Sequence, residues 1–322
     1  MKVVVFGGSG FVGRFLCERL AESGIAVLNC DLVAPTNTDT GIQFFRVDIA
    51  TKAEVSKVPI DEHDIVVDLA ANQYHGAVPK FRRERFFQAV NLGGLQNILE
   101  RMREVRCSKL VFFSTDMVYG RPRYLPVDVL HAKEPFGPYG RSKRDAEAIC
   151  YDFRKLGINI TIFRPRMIVG PGRLGILGKL FSLVDRGLPV PTIGSGKNCY
   201  QMISVFDCVS AIEGAISAGC PDSEFNLGSL APPATRDLLE NLIMAVGSHS
   251  RVISTPAWLV KFALAFLGKV GLEIMYREQY MIADLDYVLD ISKAEKELGW
   301  IPKYSDSDMV VAAYHEYRKS LQ

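Results

Sequence analysis

The sequence predicts an α/β fold, a doubly wound parallel sheet carrying a smaller C-terminal lobe. Two observations predict it. Through the first half, short runs rich in Val, Ile and Phe alternate with amphipathic segments, the pattern of parallel strands covered by helices on both faces. At the very start, Gly7-x-x-Gly10-x-x-Gly13 follows the apolar run Val3-Val4-Val5-Phe6 and opens a helical pattern. That strand–turn–helix context makes the glycine spacing a dinucleotide-binding signal.

The elements follow in order. Strands are expected at 2–6, 26–30, 43–47, 65–69, 109–113 and 159–163, each a near-continuous apolar run. Helices are expected between most of them, at 10–23, 52–57, 80–103 and 139–155. After Arg164 glycine and proline become frequent, from Pro165 through Gly170, Pro171 and Gly172 to Gly194 and Gly196, and strict alternation stops. We therefore place a nucleotide-binding domain at 1–165 and a mainly substrate-binding lobe at 166–322, with a strand and helix near 201–218 returning to the main body. Residues 256–272 are strongly apolar but broken by Lys261 and Lys269. The run is too short to span a bilayer. A buried helix is the expected reading, ahead of a hydrophobic flap near a lipid-like substrate or membrane surface.

Composition narrows the function. The 322 residues carry 38 Lys+Arg against 36 Asp+Glu, and no basic stripe points to nucleic acid. Lys80, Arg82, Arg83 and Arg85, interleaved with Phe81, Phe86 and Phe87, read as the solvated face of an amphipathic helix. Seven cysteines are scattered singly without a Cys-x-x-Cys, so neither a disulfide framework nor a metal site is expected. Buried free thiols and an N-terminus that enters a strand at once point to a cytoplasmic location.

Within the nucleotide-binding half, Gly7, Gly10, Phe11, Val12 and Gly13 form the turn that brings backbone N–H groups to a pyrophosphate at a helix N-terminus. Asp31 ends the second strand, where a carboxylate accepts from ribose hydroxyls and repels a 2′-phosphate, favouring NAD. Asp48 and Ile49 follow the third strand and are candidate adenine contacts; Leu69, Ala70 and Ala71 end the fourth, where small residues let a cofactor pass. Tyr139 and Lys143, four residues apart, share a helix face. A cation beside a phenol lowers its pKa and makes it a usable base.

These motifs, taken with Asn91, Ser114-Thr115, Arg164-Pro165, Gly170-Pro171-Gly172, Val205-Phe206-Asp207 and Asp290-Ile291-Ser292-Lys293-Ala294, resemble those of the extended short-chain dehydrogenase/reductase family. That family includes nucleotide-sugar epimerases and dehydratases, and the resemblance spans nearly the whole chain. It implies a Rossmann-type fold, with Tyr139 as acid/base, Lys143 on the nicotinamide ribose and Thr115 on the reacting hydroxyl. It also implies a homodimer joined through helices 80–103 and 139–155, whose apolar Phe86, Val90, Leu95, Ile98 and Met102 occupy more than one face.

Three departures bear on substrate. Asp116 stands where sugar 4,6-dehydratases have the first residue of an Asp-Glu pair, but Met117 replaces the Glu. A thioether takes no proton, so classical dehydration is disfavoured. His75 is the only nearby histidine that could substitute as base, and a loop histidine bonded to backbone or solvent is the expected reading. Met167 stands where many epimerases have Asn, and Tyr200 where many have a diphosphate-binding Arg. Arg166, Arg173, Lys179 and Lys197 are the cations available instead, and Asp116, Met117, Arg166 and Tyr200 are the candidate substrate contacts. The expected function is NAD-dependent epimerisation, or related keto-sugar redox chemistry, on a nucleotide-linked sugar. The alternatives are a 3β-hydroxysteroid-dehydrogenase-like alcohol dehydrogenase for hydrophobic substrates and a non-catalytic dinucleotide-binding regulator.

Overall fold

A computed structural model describes residues 2–35, 41–74 and 78–321. The apolar runs of the first half all become parallel strands: β1 (Val3–Phe6), β2 (Val27–Asp31), β3 (Gln43–Arg46), β4 (Ile65–Asp68), β5 (Lys109–Phe113) and β6 (Asn159–Pro165). Beyond them come β7 (Met167–Val169), β8 (Val190–Ile193), β9 (Met202–Ser204), β10 (Glu224–Leu227) and β11 (Val252–Thr255). The large sheet has seven strands in the order β10-β6-β5-β4-β1-β2-β3. Its order reverses between β1 and β4, the crevice where open α/β sheets bind ligands. Strand β10 pairs with β6 from Glu224↔Ile162 to Leu227↔Pro165, so the large sheet also takes in residues beyond 165.

The helices are α1 (Phe11–Glu22), α2 (Lys52–Val55), α3 (Arg83–Asn91), α4 (Gly93–Glu104), α5 (Pro138–Arg154), α6 (Gly175–Asp185), α7 (Val205–Ser217), α8 (Thr235–Ala245), α9 (Ala257–Lys269), α10 (Arg277–Tyr280), α11 (Ser292–Leu298) and α12 (Asp306–Lys319). Helices α1 and α7 cover one sheet face, burying Leu16, Leu20, Cys208 and Ile212 against Val3, Val5 and Val67. Helices α4 and α5 cover the other, with Leu95, Ile98, Met102, Ala146 and Cys150 against Val4, Phe6 and Phe112. The expected return near 201–218 is made by α7; β9 pairs instead with β7 in a small separate sheet. A third core, with Phe181 and Val184 from α6, Leu238 and Leu242 from α8, and Val310 and Tyr314 from α12, builds the C-terminal lobe. All seven cysteines are free thiols and six are buried.

Two expectations are corrected. The single helix 80–103 is two helices, parted at Leu92. Gly93 and Gly94 follow at once, and a Cβ on Gly94 would stand 2.5 Å from Ile49 Cδ1. The glycine pair permits the kink and the close approach to Ile49. The second correction concerns 256–272. It does form a helix, α9, but not a buried one, because Leu264 is its only buried residue. Lys261 ties it to the body through Asp284 (2.5 Å) and the Met281 carbonyl (3.2 Å), and its aromatic side faces outward. Among the described residues no helix is long and apolar enough to cross a membrane.

Candidate active site

The β1–α1 turn is shaped by close packing. Gly7 has φ +78°, and a Cβ there would stand 2.7 Å from the Ala70 nitrogen. A Cβ on Gly13 would meet the Gly7 carbonyl oxygen at 2.1 Å. Only glycine fits either place, so backbone N–H groups reach the N-terminus of α1 uncovered by side chains. Asp31, at the end of β2, accepts from the backbone N–H of Ser9 at 3.0 Å and of Val33 at 3.2 Å. Its carboxylate is thereby aimed at the glycine turn.

A cavity of about 1280 Å³ begins at this turn and runs into the C-terminal lobe. Gly7, Gly10, Phe11, Val12, Gly13, Leu69 and Ala71 line one end; Thr115, Asp116, Met117, Tyr139 and Lys143 line the middle; Arg166, Arg173, Lys179 and Tyr200 lie toward the lobe. Ala70 sits just behind Gly7. Asp31, Asp48 and Ile49 all lie outside the lining. The Asp48 carboxylate accepts from the Ala50 N–H at 2.9 Å, and Ile49 is buried under Gly94. Lys197 is exposed and lies outside the lining. His75 falls outside the described residues.

Tyr139 and Lys143 occupy the first turns of α5, both buried. Lys143 Nζ donates to the Phe113 carbonyl at 2.7 Å and lies 4.6 Å from the centre of the Phe112 ring. Burial pushes its pKa down to about 8, against the opposing pull of Asp68. Asp68 in turn is pushed up to about 6 by burial, with Lys143 opposing. Tyr139 is raised by burial as well, and the cation that opposes the rise is Arg173. Thr115 opposes the rise as well, and its hydroxyl donates to Asp116 at 3.2 Å.

Arg166 is buried at the lobe side of the cavity. Its guanidinium lies between the rings of Tyr200 (4.0 Å) and Tyr287 (3.9 Å), and Nη1 donates to the Asp116 carboxylate. Its Nε and Nη2 are buried without a hydrogen-bond partner among the described residues. Unpaired buried donors are costly, so these two are suited to a ligand acceptor.

Glu278 was not evident from the sequence. This residue of the short helix α10 reaches across to the N-terminus of α5, where it accepts from the backbone N–H of Tyr139 (3.2 Å) and Gly140 (3.3 Å) and from the Tyr74 hydroxyl (2.5 Å). A carboxylate at a helix N-terminus is stabilised by the helix dipole. It belongs to no local capping pattern, so only its position 139 residues downstream of Tyr139 in the folded chain reveals it. Asn91, quoted among the motifs, is also placed. It accepts from the Asn72 N–H at 2.8 Å and donates to the Ser142 hydroxyl at 2.9 Å, tying the loop after β4 to α5.

Comparison with known proteins agrees with this fold. Residues 3–228 match the model of the NAD dependent epimerase/dehydratase family. The chain is 30% identical over 316 residues to the protein y4nG of Sinorhizobium fredii, covering 98% of this chain and 78% of that one. It is 26% identical over 348 residues to a UDP-glucose 4-epimerase of Lactobacillus helveticus, covering 99% and 98%. Among solved structures, a UDP-glucose 4-epimerase of Thermotoga maritima with UDP-glucose superposes with a TM-score of 0.81 at 23% identity, covering both chains completely.

Proposed function

This chain belongs to the NAD dependent epimerase/dehydratase family, and from that premise we propose that it is an NAD-dependent epimerase, or a related keto-sugar oxidoreductase, acting on a nucleotide-linked sugar. The observation that carries the reading is the continuity of the cavity. One space joins the glycine turn, the Thr115–Tyr139–Lys143 group and a cationic lobe end. The glycine turn that no side chain could enter, the N-terminus of α1 and the Asp31 carboxylate fit a dinucleotide. When bound, NAD supplies reversible hydride acceptance.

The chain's own residues do the rest. Tyr139 takes the proton of the sugar hydroxyl as its carbon is oxidised and returns it on reduction. Thr115 orients that hydroxyl, and Lys143 holds the nicotinamide ribose. Arg166, with two donors free, Arg173 and Lys179 are the cations for a diphosphate. Buried walls exclude water from the exchange. A cytoplasmic homodimer belongs to the same proposal.

A second reading rests on the apolar part of the lobe end. Met167, Ile168, Leu174, Leu177, Ile274 and Ile282 line it, which favours a secondary-alcohol dehydrogenase for a hydrophobic substrate. One experiment separates the two. Purified protein is denatured and its released cofactor identified, and native protein is incubated with UDP-, dTDP-, GDP- and CDP-linked sugars. Retained NAD and an epimerised sugar by NMR support the first reading; no retained NAD and no change in any sugar nucleotide would remove it. Mass spectrometry of the same mixtures is expected to show no loss of water. Asp116 is held by Arg166 and Thr115, and Met117 offers no base. A dehydrated product would overturn that expectation.

A further inference from the structure

We propose that α9, together with the basic segment at the start of α3, forms a docking surface for an anionic lipid bilayer. Helix α9 turns Trp258 (72% exposed), Leu259, Phe262 (68%) and Phe266 (57%) to solvent, and the exposed Val270, Leu272 and Ile274 extend the patch. Scattered exposed apolar residues are ordinary, but a contiguous aromatic face marks an interaction site.

A second, sequence-distant segment meets its C-terminal end. Arg83 donates to Glu273 at 2.9 Å, and Lys80 Nζ lies 3.0 Å from where a Cβ on Gly271 would stand. This segment carries Phe81, the second most exposed large apolar residue described, at 83%. The surface therefore combines aromatic side chains with a cationic border.

Charge selects the occupant. Residues 256–272 contain Lys261 and Lys269 and no acidic residue; residues 80–85 contain four cations and Glu84. Lys261 is paired with Asp284, Arg83 with Glu273, and Glu84 with Arg141. Among the described residues no carboxylate pairs with Lys80, Arg82, Arg85 or Lys269. A second copy docked through the same face would bring like charges together. An anionic lipid surface would neutralise them while accepting the aromatic side chains at headgroup depth. With 13 residues, α9 lies along the surface rather than across it. Glu273, Ile274, Met275 and Tyr276, next in the chain, line the cavity, so docking would hold its mouth at the lipid surface.

The test is sedimentation of the full chain with vesicles of phosphatidylcholine mixed with phosphatidylglycerol, beside pure phosphatidylcholine. Wild type is expected to pellet with the anionic vesicles and to be released by added salt. Of the two tryptophans, Trp300 is buried, so a blue shift of emission on binding reports Trp258. The double variant Phe262→Ser, Phe266→Ser should bind at least about tenfold more weakly, with its melting temperature and retained cofactor unchanged. Lys80→Glu with Lys269→Glu should lower anionic-vesicle binding about tenfold or more. Wild type that stays in the supernatant, or a serine variant that pellets as well as wild type, would overturn the proposal. So would a wild-type oligomer that the serine variant dissociates, since that assigns the face to a second copy.

Discussion

Tyr139 is the residue on which the proposed chemistry turns, and its surroundings decide how it works. Burial raises its pKa, Arg173 and Thr115 oppose, and Lys143 donates to a backbone carbonyl. Tyr139→Phe is expected to lower turnover by about 100- to 10,000-fold while leaving NAD binding nearly unchanged, as read by steady-state kinetics and titration of the cofactor. Retention of half the activity would remove the phenol from the mechanism. Asp31→Ala should weaken NAD and relax discrimination against NADP, because the carboxylate at the end of β2 is the group proposed to meet the ribose. The ratio of the two dissociation constants measures this, and an unchanged ratio would contradict it. Both residues were legible in the sequence, since each sits at a fixed offset from a strand or helix start. Glu278 was not, because its role depends on a contact between distant parts of the chain.

Helix α5 is the element that carries the site, and buried charge holds it to the sheet. Glu147, one turn after Lys143, accepts from Arg164 Nε (2.8 Å) and Nη2 (2.9 Å), the Ser114 hydroxyl (2.6 Å) and Lys133 (2.5 Å). Arg164 and Glu147 are both fully buried. Glu147→Ala would leave the guanidinium uncompensated and is expected to cost about 3–5 kcal/mol, measured by denaturant unfolding. A loss below about 1 kcal/mol would mean that the pair does not hold α5. Burial pushes the Glu147 carboxyl up, but Arg164 and Lys133 outweigh it and hold its pKa below the usual 4.5. A depressed folded pKa means stability that is complete above about 4.5 and lost as pH falls through the lower folded value. The wild-type midpoint should therefore fall with acid in that window, and the variant's should fall less. At the other end of α5, Glu278 caps from the C-terminal lobe, so the orientation of Tyr139 depends on both halves of the chain.

For the whole molecule, the expected homodimer needs a different physical basis from the one the sequence suggested. Leu95, Ile98 and Met102 are fully buried in the monomer's own core, and Phe86 and Val90 are half-buried. The outward side of α3 presents Glu84, Arg85 and Gln88, so a contact through α3 and α5 would be polar. Light scattering at micromolar concentration is expected to give twice the 35.8 kDa chain mass, and to do so equally for the Phe262→Ser, Phe266→Ser variant. A single chain mass would exclude the dimer.

The sequence by itself determined the parallel sheet, the glycine turn, the strand-end Asp31 and the Tyr139–Lys143 spacing. Each is encoded by local periodicity or short-range geometry, which does not wait on distant contacts. Only the tertiary structure placed β10 in the large sheet, split 80–103 at Leu92 and turned the aromatic side of α9 outward. An apolar run reports that a segment can be buried. Whether it is buried depends on which surface the rest of the chain brings against it, and over most of α9 the described residues bring none.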